Sequence, residues 1–210
     1  MSIRSAMMRA AAGLVDAPAG FGFIGFGVGN TGGNQSTTVT IAKPLGTLEN
    51  HLMMAFLYSG SGVSYAAANG WSGSSNNNRV NIVWKKATAS EPSNYTFTSS
   101  ANATQSGVII TYSGAIIDVI GAVSLNATPS VAPSVNGTAG GALLAGYGAN
   151  QASGTFTTPT GMAPVTANST VQPVSGTFNE ALTVTGSTGT RTSTCSTGNS
   201  LSQMCSIKPG

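Results

Sequence analysis

The sequence predicts an all-β protein: an antiparallel, jelly-roll-like β-sandwich made of two similar four-strand halves and preceded by an extended N-terminal arm. Three observations carry this expectation. Short β-branched and apolar runs follow one another through residues 36–210, separated by clusters of Gly, Asn, Ser and Pro, and strands so spaced belong to sandwiches and barrels. No long stretch of 3.6-residue periodicity interrupts them. The spacing of landmark residues in the first half also recurs in the second.

The elements follow in order. In residues 1–15, Ile3, Met7, Ala10, Ala11 and Leu14 stand at helical spacing, which fits one short amphipathic helix. The same stretch has the outline of a secretion signal, but its apolar core is too short and Arg9 sits against it. Phe21-Gly22-Phe23-Ile24-Gly25-Phe26-Gly27-Val28-Gly29 then alternates Gly with large apolar residues, the period of a strand with one packed face. Residues 1–30 are expected to form an assembly arm that lies in a groove or adds a strand to a neighbour's sheet. Phe21, Phe23, Ile24, Phe26 and Val28 are its candidate contacts.

The sandwich is expected over residues 31–210. Its strands are read at 37–41, 52–58, 80–85, 95–98, 107–112 and 116–123. Turns fall at 59–62, 72–78 and 90–94. Leu52 and Trp71 are 19 residues apart, as are Leu143 and Met162, and a Gly precedes both Trp71 and Met162. Tyr95 to Val108 and Arg191 to Met204 both span 13 residues. Tandem domains and a single sandwich of intertwined halves both fit this repeat. The scarcity of large residues in the second half favours the single sandwich.

Composition narrows the function. Charged residues make up 6% of 210, against about 25% in an ordinary soluble domain. Such a surface must be rich in hydroxyl and amide groups or be covered by neighbours. The +3 formal charge comes from eight scattered Lys and Arg, not the clustered basic stripe of a nucleic-acid binder. No apolar run approaches the ~18 residues that cross a bilayer. The two cysteines, Cys195 and Cys205, do not make a disulfide scaffold. A tight hairpin across 197–200 would set Cys195 opposite residue 202, so both are read as half-buried thiols.

Catalysis needs titratable groups brought together, and this chain has one His and five acids. Glu49 and His51 would share a face of a strand, as in a hydrolytic triad, but they fall in the turn before residue 52. The letters of G-x-G-x-x-G at 20–25 lie in a strand-like stretch with no helix after it, so they are not a dinucleotide fingerprint. Neither a zinc set nor a calcium loop is present, and no cofactor is expected. The Asn-x-Ser/Thr triplets, from Asn34 to Asn168, are what chance gives in a chain this rich in those residues. The best carbohydrate platform is Trp71 beside Asn76, Asn77, Asn78 and Arg79. Its rival is a core Trp at a strand end.

The run at 40–56, with Gly70-Trp71, the segment 91–97 and Tyr112-Ser113-Gly114, resembles β-sandwich modules of tailed-bacteriophage virion proteins and bacterial surface proteins. The resemblance covers about residues 36–210. It places His51 where such modules commonly have Asp, which speaks against a special role for His51. It implies a non-enzymatic virion-surface protein whose partners are the major capsid protein or other virion proteins. The expected role is capsid decoration through the N-terminal arm, as a homo-oligomer with a trimer favoured. The alternative is a tail or fibre adhesin that binds host glycans.

Overall fold

The computed structural model describes residues 20–66, 70–74, 78–196 and 200–210, and the described residues form strands and loops without a helix. The helix expected in residues 1–15 lies outside them. The first half contains β1 (Gly22–Asn30), β2 (Ser36–Ala42), β3 (Leu52–Val63), β4 (Ser72–Ser74), β5 (Asn78–Lys86), β6 (Asn94–Ala103) and β7 (Gln105–Ser113). The second contains β8 (Ala115–Ala127), β9 (Ser130–Ala132), β10 (Asn136–Gly137), β11 (Ala142–Ala149), β12 (Ala163–Asn168), β13 (Val174–Ala181), β14 (Gly186–Ser187), β15 (Arg191–Ser193) and β16 (Ser200–Pro209).

Two five-stranded antiparallel sheets result, in the orders β1-β7-β3-β5-β4 and β8-β16-β11-β13-β12. The second order repeats the first: the opening strand of the half pairs with its closing strand, which pairs with the central strand. The pair β2-β6 covers the outer face of the first sheet, and β9-β15 with β10-β14 cover that of the second. Each sheet takes strands from one half alone. The halves therefore follow one another and meet face to face through a shared core. The segment assigned to an arm differs from expectation. From Gly22 onward it is hydrogen-bonded to β7 as an edge strand of the first sheet, so the sandwich begins before residue 31.

Strand β3 shows how this follows from sequence. It is apolar on both faces because both faces are covered. Leu52, Met54, Phe56 and Tyr58 enter the shared core, while Met53, Ala55 and Leu57 enter the outer core of the first half. Its counterpart β11 sends Ala142 and Leu144 into the shared core and Leu143, Ala145 and Tyr147 outward. The small residues of the second half have a specific use. A Cβ on Gly146 would stand 2.5 Å from Phe56 Cδ1, and one on Gly148 would stand 2.9 Å from Tyr58 Cδ1. The glycines of one half make room for the aromatics of the other.

The pairing corrects the repeat by one residue. Leu52 faces Lys86 and Tyr112, and Ala142 faces Ala181 and Ile207, so Leu52 corresponds to Ala142 rather than Leu143. A one-residue slip moves a side chain to the opposite face, and Leu143 indeed lies in the outer core. Trp71 and Met162 do correspond. Both are buried in the outer core of their half, and each follows a glycine at positive φ, +77° at Gly70 and +85° at Gly161. Cys205 lies in the shared core and Cys195 in the outer core of the second half, and no disulfide joins them.

Candidate functional site

An apolar strip with exposed side chains lies along β1. This strand ends its sheet and pairs, among the described residues, with β7 alone. A bulge at Ile24 divides it. Before the bulge, Phe21 and Phe23 pack on Tyr112, with ring centroids 5.8 and 5.6 Å away, and they belong to the shared core. Beyond it, Phe26 is 43% and Val28 52% exposed. Of the five expected assembly contacts, Phe26 and Val28 are therefore presented outward. Ile24 is half-buried at the bulge, against Gly46.

The glycines of β1 serve its other face. A Cβ on Gly27 or Gly29 would collide with the backbone carbonyls of Ala42 and Thr40, so β2 can approach only a strand that lacks side chains there. The hydrogen-bond phase is fixed as well. Thr31 N donates to Gln105 O at 2.9 Å, and bonded pairs alternate along an antiparallel ladder. Gly27 and Gly29 therefore bond to β7, while Phe26 and Val28 direct their N–H and C=O away from it. The loop after β2 adds Leu45, 92% exposed, whose carbonyl lies 3.4 Å from a Cβ position on Gly25. Leu48 is also exposed. These leucines escaped sequence reasoning because a Pro-Leu-Gly run signals a turn without saying where its side chain points.

The proposed sugar platform has a different geometry. Trp71 is 5% exposed and packs edge-on against Tyr95 and Phe97, each ring centroid 5.2 Å away. It lines, with Tyr65 and Phe97, a cavity of about 30 Å³, room for one water rather than a sugar. Arg79 is half-buried in β5, which begins at Asn78, and Asn76 and Asn77 lie outside the described residues.

The titratable groups are held in local networks. His51 precedes β3, and its Nδ1 accepts the Leu48 N–H at 3.2 Å; burial lowers its pKa. Glu49 is exposed. Glu91 is the most constrained acid, its side chain 4% exposed. It accepts the Thr88 N–H at 2.7 Å and Lys85 Nζ at 2.9 Å on each oxygen, as well as the Thr88 and Tyr95 hydroxyls. Burial raises its pKa, but these donors outweigh it and bring the carboxyl down to about 2. The second half has an ion pair in the same place with the signs exchanged. Lys85 lies opposite Met53 and Glu180 opposite Leu143, and Glu180 Oε2 meets Arg191 at 2.7 Å. Asp118 is held by Lys208 and Thr138 at 3.0 and 2.9 Å. Among the described residues, no three His, Cys, Asp or Glu gather as a metal site would require. No family model matches the chain, and no curated protein or solved structure matches it either.

Proposed function

We propose that this chain is a non-enzymatic structural component of a bacteriophage virion, a capsid decoration protein held on the outer shell through its N-terminal segment. The observation that carries the reading is the open edge of β1: uncharged, flanked by exposed Phe26, Val28 and Leu45, on a chain with 6% charged residues. Such a surface is suited to being covered by protein neighbours. The ion-paired acids support a structural rather than a catalytic use of the few charges. The two repeated halves, each a five-stranded sheet whose outer face is covered by short paired strands, suit a β-sandwich module of a particle.

The test is the copy number of the chain in purified particles, by mass spectrometry against the major shell protein. Decoration predicts a ratio near one chain per shell subunit. A handful of copies per particle overturns it in favour of the tail or fibre adhesin, and a glycan array with Trp71→Ala as control then becomes the next measurement. Deleting residues 1–30 would remove β1 from the sheet, so the truncation that tests shell attachment ends at residue 19. Its expected result is a folded protein; loss of decoration assigns attachment to residues 1–19, and retained decoration leaves it with the edge of β1.

A further inference from the structure

We infer that the outer edge of β1 is a self-complementary docking strand, at which two copies of this chain pair antiparallel about a two-fold axis centred on Gly27. This goes beyond the particle reading and stands on the geometry of the edge.

Two equivalent strands, β1 and β8, end the two sheets, and they are protected differently. Strand β8 has three register shifts against β16 and carries Asp118, bound to Lys208. Bulges and charges are the devices that stop an edge from accepting another strand. Past Ile24, β1 has neither, for residues 25–30 run in regular register with β7 and none is ionisable or Pro. Their outward N–H and C=O groups, on Phe26 and Val28, are a template for strand addition.

A second copy fits this template through its own matching row. With the axis at Gly27, Phe26 of one copy lies directly opposite Val28 of the other, and the reverse pair forms on the other side of the axis. Both pairs lie on one face of the joined sheet and cover the exposed side chains, an aromatic beside a β-branched residue. The outward backbone groups of residues 26 and 28 meet in bonding phase. Charge favours the same occupant. The strip has no ionisable group, so two copies approach without repulsion, while a charged partner would find nothing to pair with. The two-fold pair replaces the trimer expected from the sequence.

The full chain in solution, followed by sedimentation equilibrium, should give twice the monomer mass. Val28→Lys, which alters an exposed position and adds one charge per copy at the seam, should raise the dimer dissociation constant by at least about tenfold. Leu125→Lys, on the exposed face of β8, should leave it unchanged. Register is read by crosslinking. Facing residues in a bonded antiparallel pair stand about 5.5 Å apart at Cα, within reach of a disulfide. Mixed Phe26→Cys and Val28→Cys chains should therefore form a crosslinked dimer under mild oxidation more readily than either variant alone. A monomer, a trimer, a dimer indifferent to Val28→Lys, or crosslinking without preference for the mixed pair overturns the inference. None of these outcomes bears on copy number in the particle, so the two readings fail separately.

Discussion

Glu91 concentrates more interactions than any other charged residue described. It fastens the loop at 87–93 to Lys85 and Tyr95 at the edge of the outer core. Its carboxyl is held near 2, against an ordinary value of 4.5. A depressed carboxyl contributes stability that is complete above the unfolded value and is lost as pH falls through the folded one. The difference is worth on the order of 3 kcal/mol. Urea unfolding midpoints should therefore fall steeply between about pH 4.5 and 2. In Glu91→Gln that slope should flatten, at a cost near neutrality of about 3 kcal/mol, because Lys85 is left buried without its counter-charge. An unchanged acid limb in the variant would remove Glu91 from this role. Gly146 makes the opposite kind of point, since its contribution is an absence. The methyl group of Gly146→Ala would meet Phe56 at 2.5 Å and the Tyr58 hydroxyl at 2.8 Å. Overpacking of this sort costs about 1–3 kcal/mol. Phe56→Leu in the same chain should recover part of the loss, and the shift in denaturation midpoint of the single and double variants measures both effects.

The strands differ in what holds them, and sequence showed some of this better than the rest. Runs such as 52–58 and 107–112 are legible because burial on both faces leaves an unbroken apolar signature, and they became the central strands β3 and β7. The alternation at 21–29 was legible as a strand, but its membership of the first sheet was not. A Gly-rich edge looks the same whether its glycines meet a neighbouring molecule or the protein's own β2. The three-residue β4 and the two-residue β10 and β14 carry no period at all. Of the expected contacts, Phe26 and Val28 could not be told from Phe21 and Phe23, because the bulge at Ile24 and the partner β7 lie far apart in sequence. Amide exchange should show this hierarchy. Amides of residues 53–57 should exchange only by global unfolding, and those of β4 by local opening at far lower free energy. Gly27→Ala should bring β1 toward the fast group by prising it from the Ala42 carbonyl. Protection of residues 26–30 unchanged in that variant would show that β2 does not hold β1 in place.

At the scale of the molecule, the question is whether two halves with repeated topology are two domains. Each has its own sheet and outer core, which invites the tandem reading, but the shared core argues against independence. Leu52, Met54, Phe56 and Tyr58 from the first half meet Leu144, Leu201, Cys205 and Ile207 from the second. Tyr58 and Thr177 share a hydrogen bond at 2.5 Å across the seam, and Asn179 donates to the Tyr112 hydroxyl at 3.2 Å. Burying a large apolar side chain contributes about 1.5–3 kcal/mol, so the first four residues alone account for about 6–12 kcal/mol. That is comparable to the whole stability of a typical domain, about 5–15 kcal/mol. The full chain should therefore unfold in one transition, with calorimetric and van't Hoff enthalpies equal. Residues 20–114 and 115–210 expressed apart should each lack cooperative unfolding and recover it when mixed. The dependence runs through shape as well as area, because Gly146 and Gly148 form a recess that only Phe56 and Tyr58 fill. Two separate transitions in the full chain, or a cooperative fold in either isolated half, would make the halves domains in their own right and reduce the shared core to an interface between them.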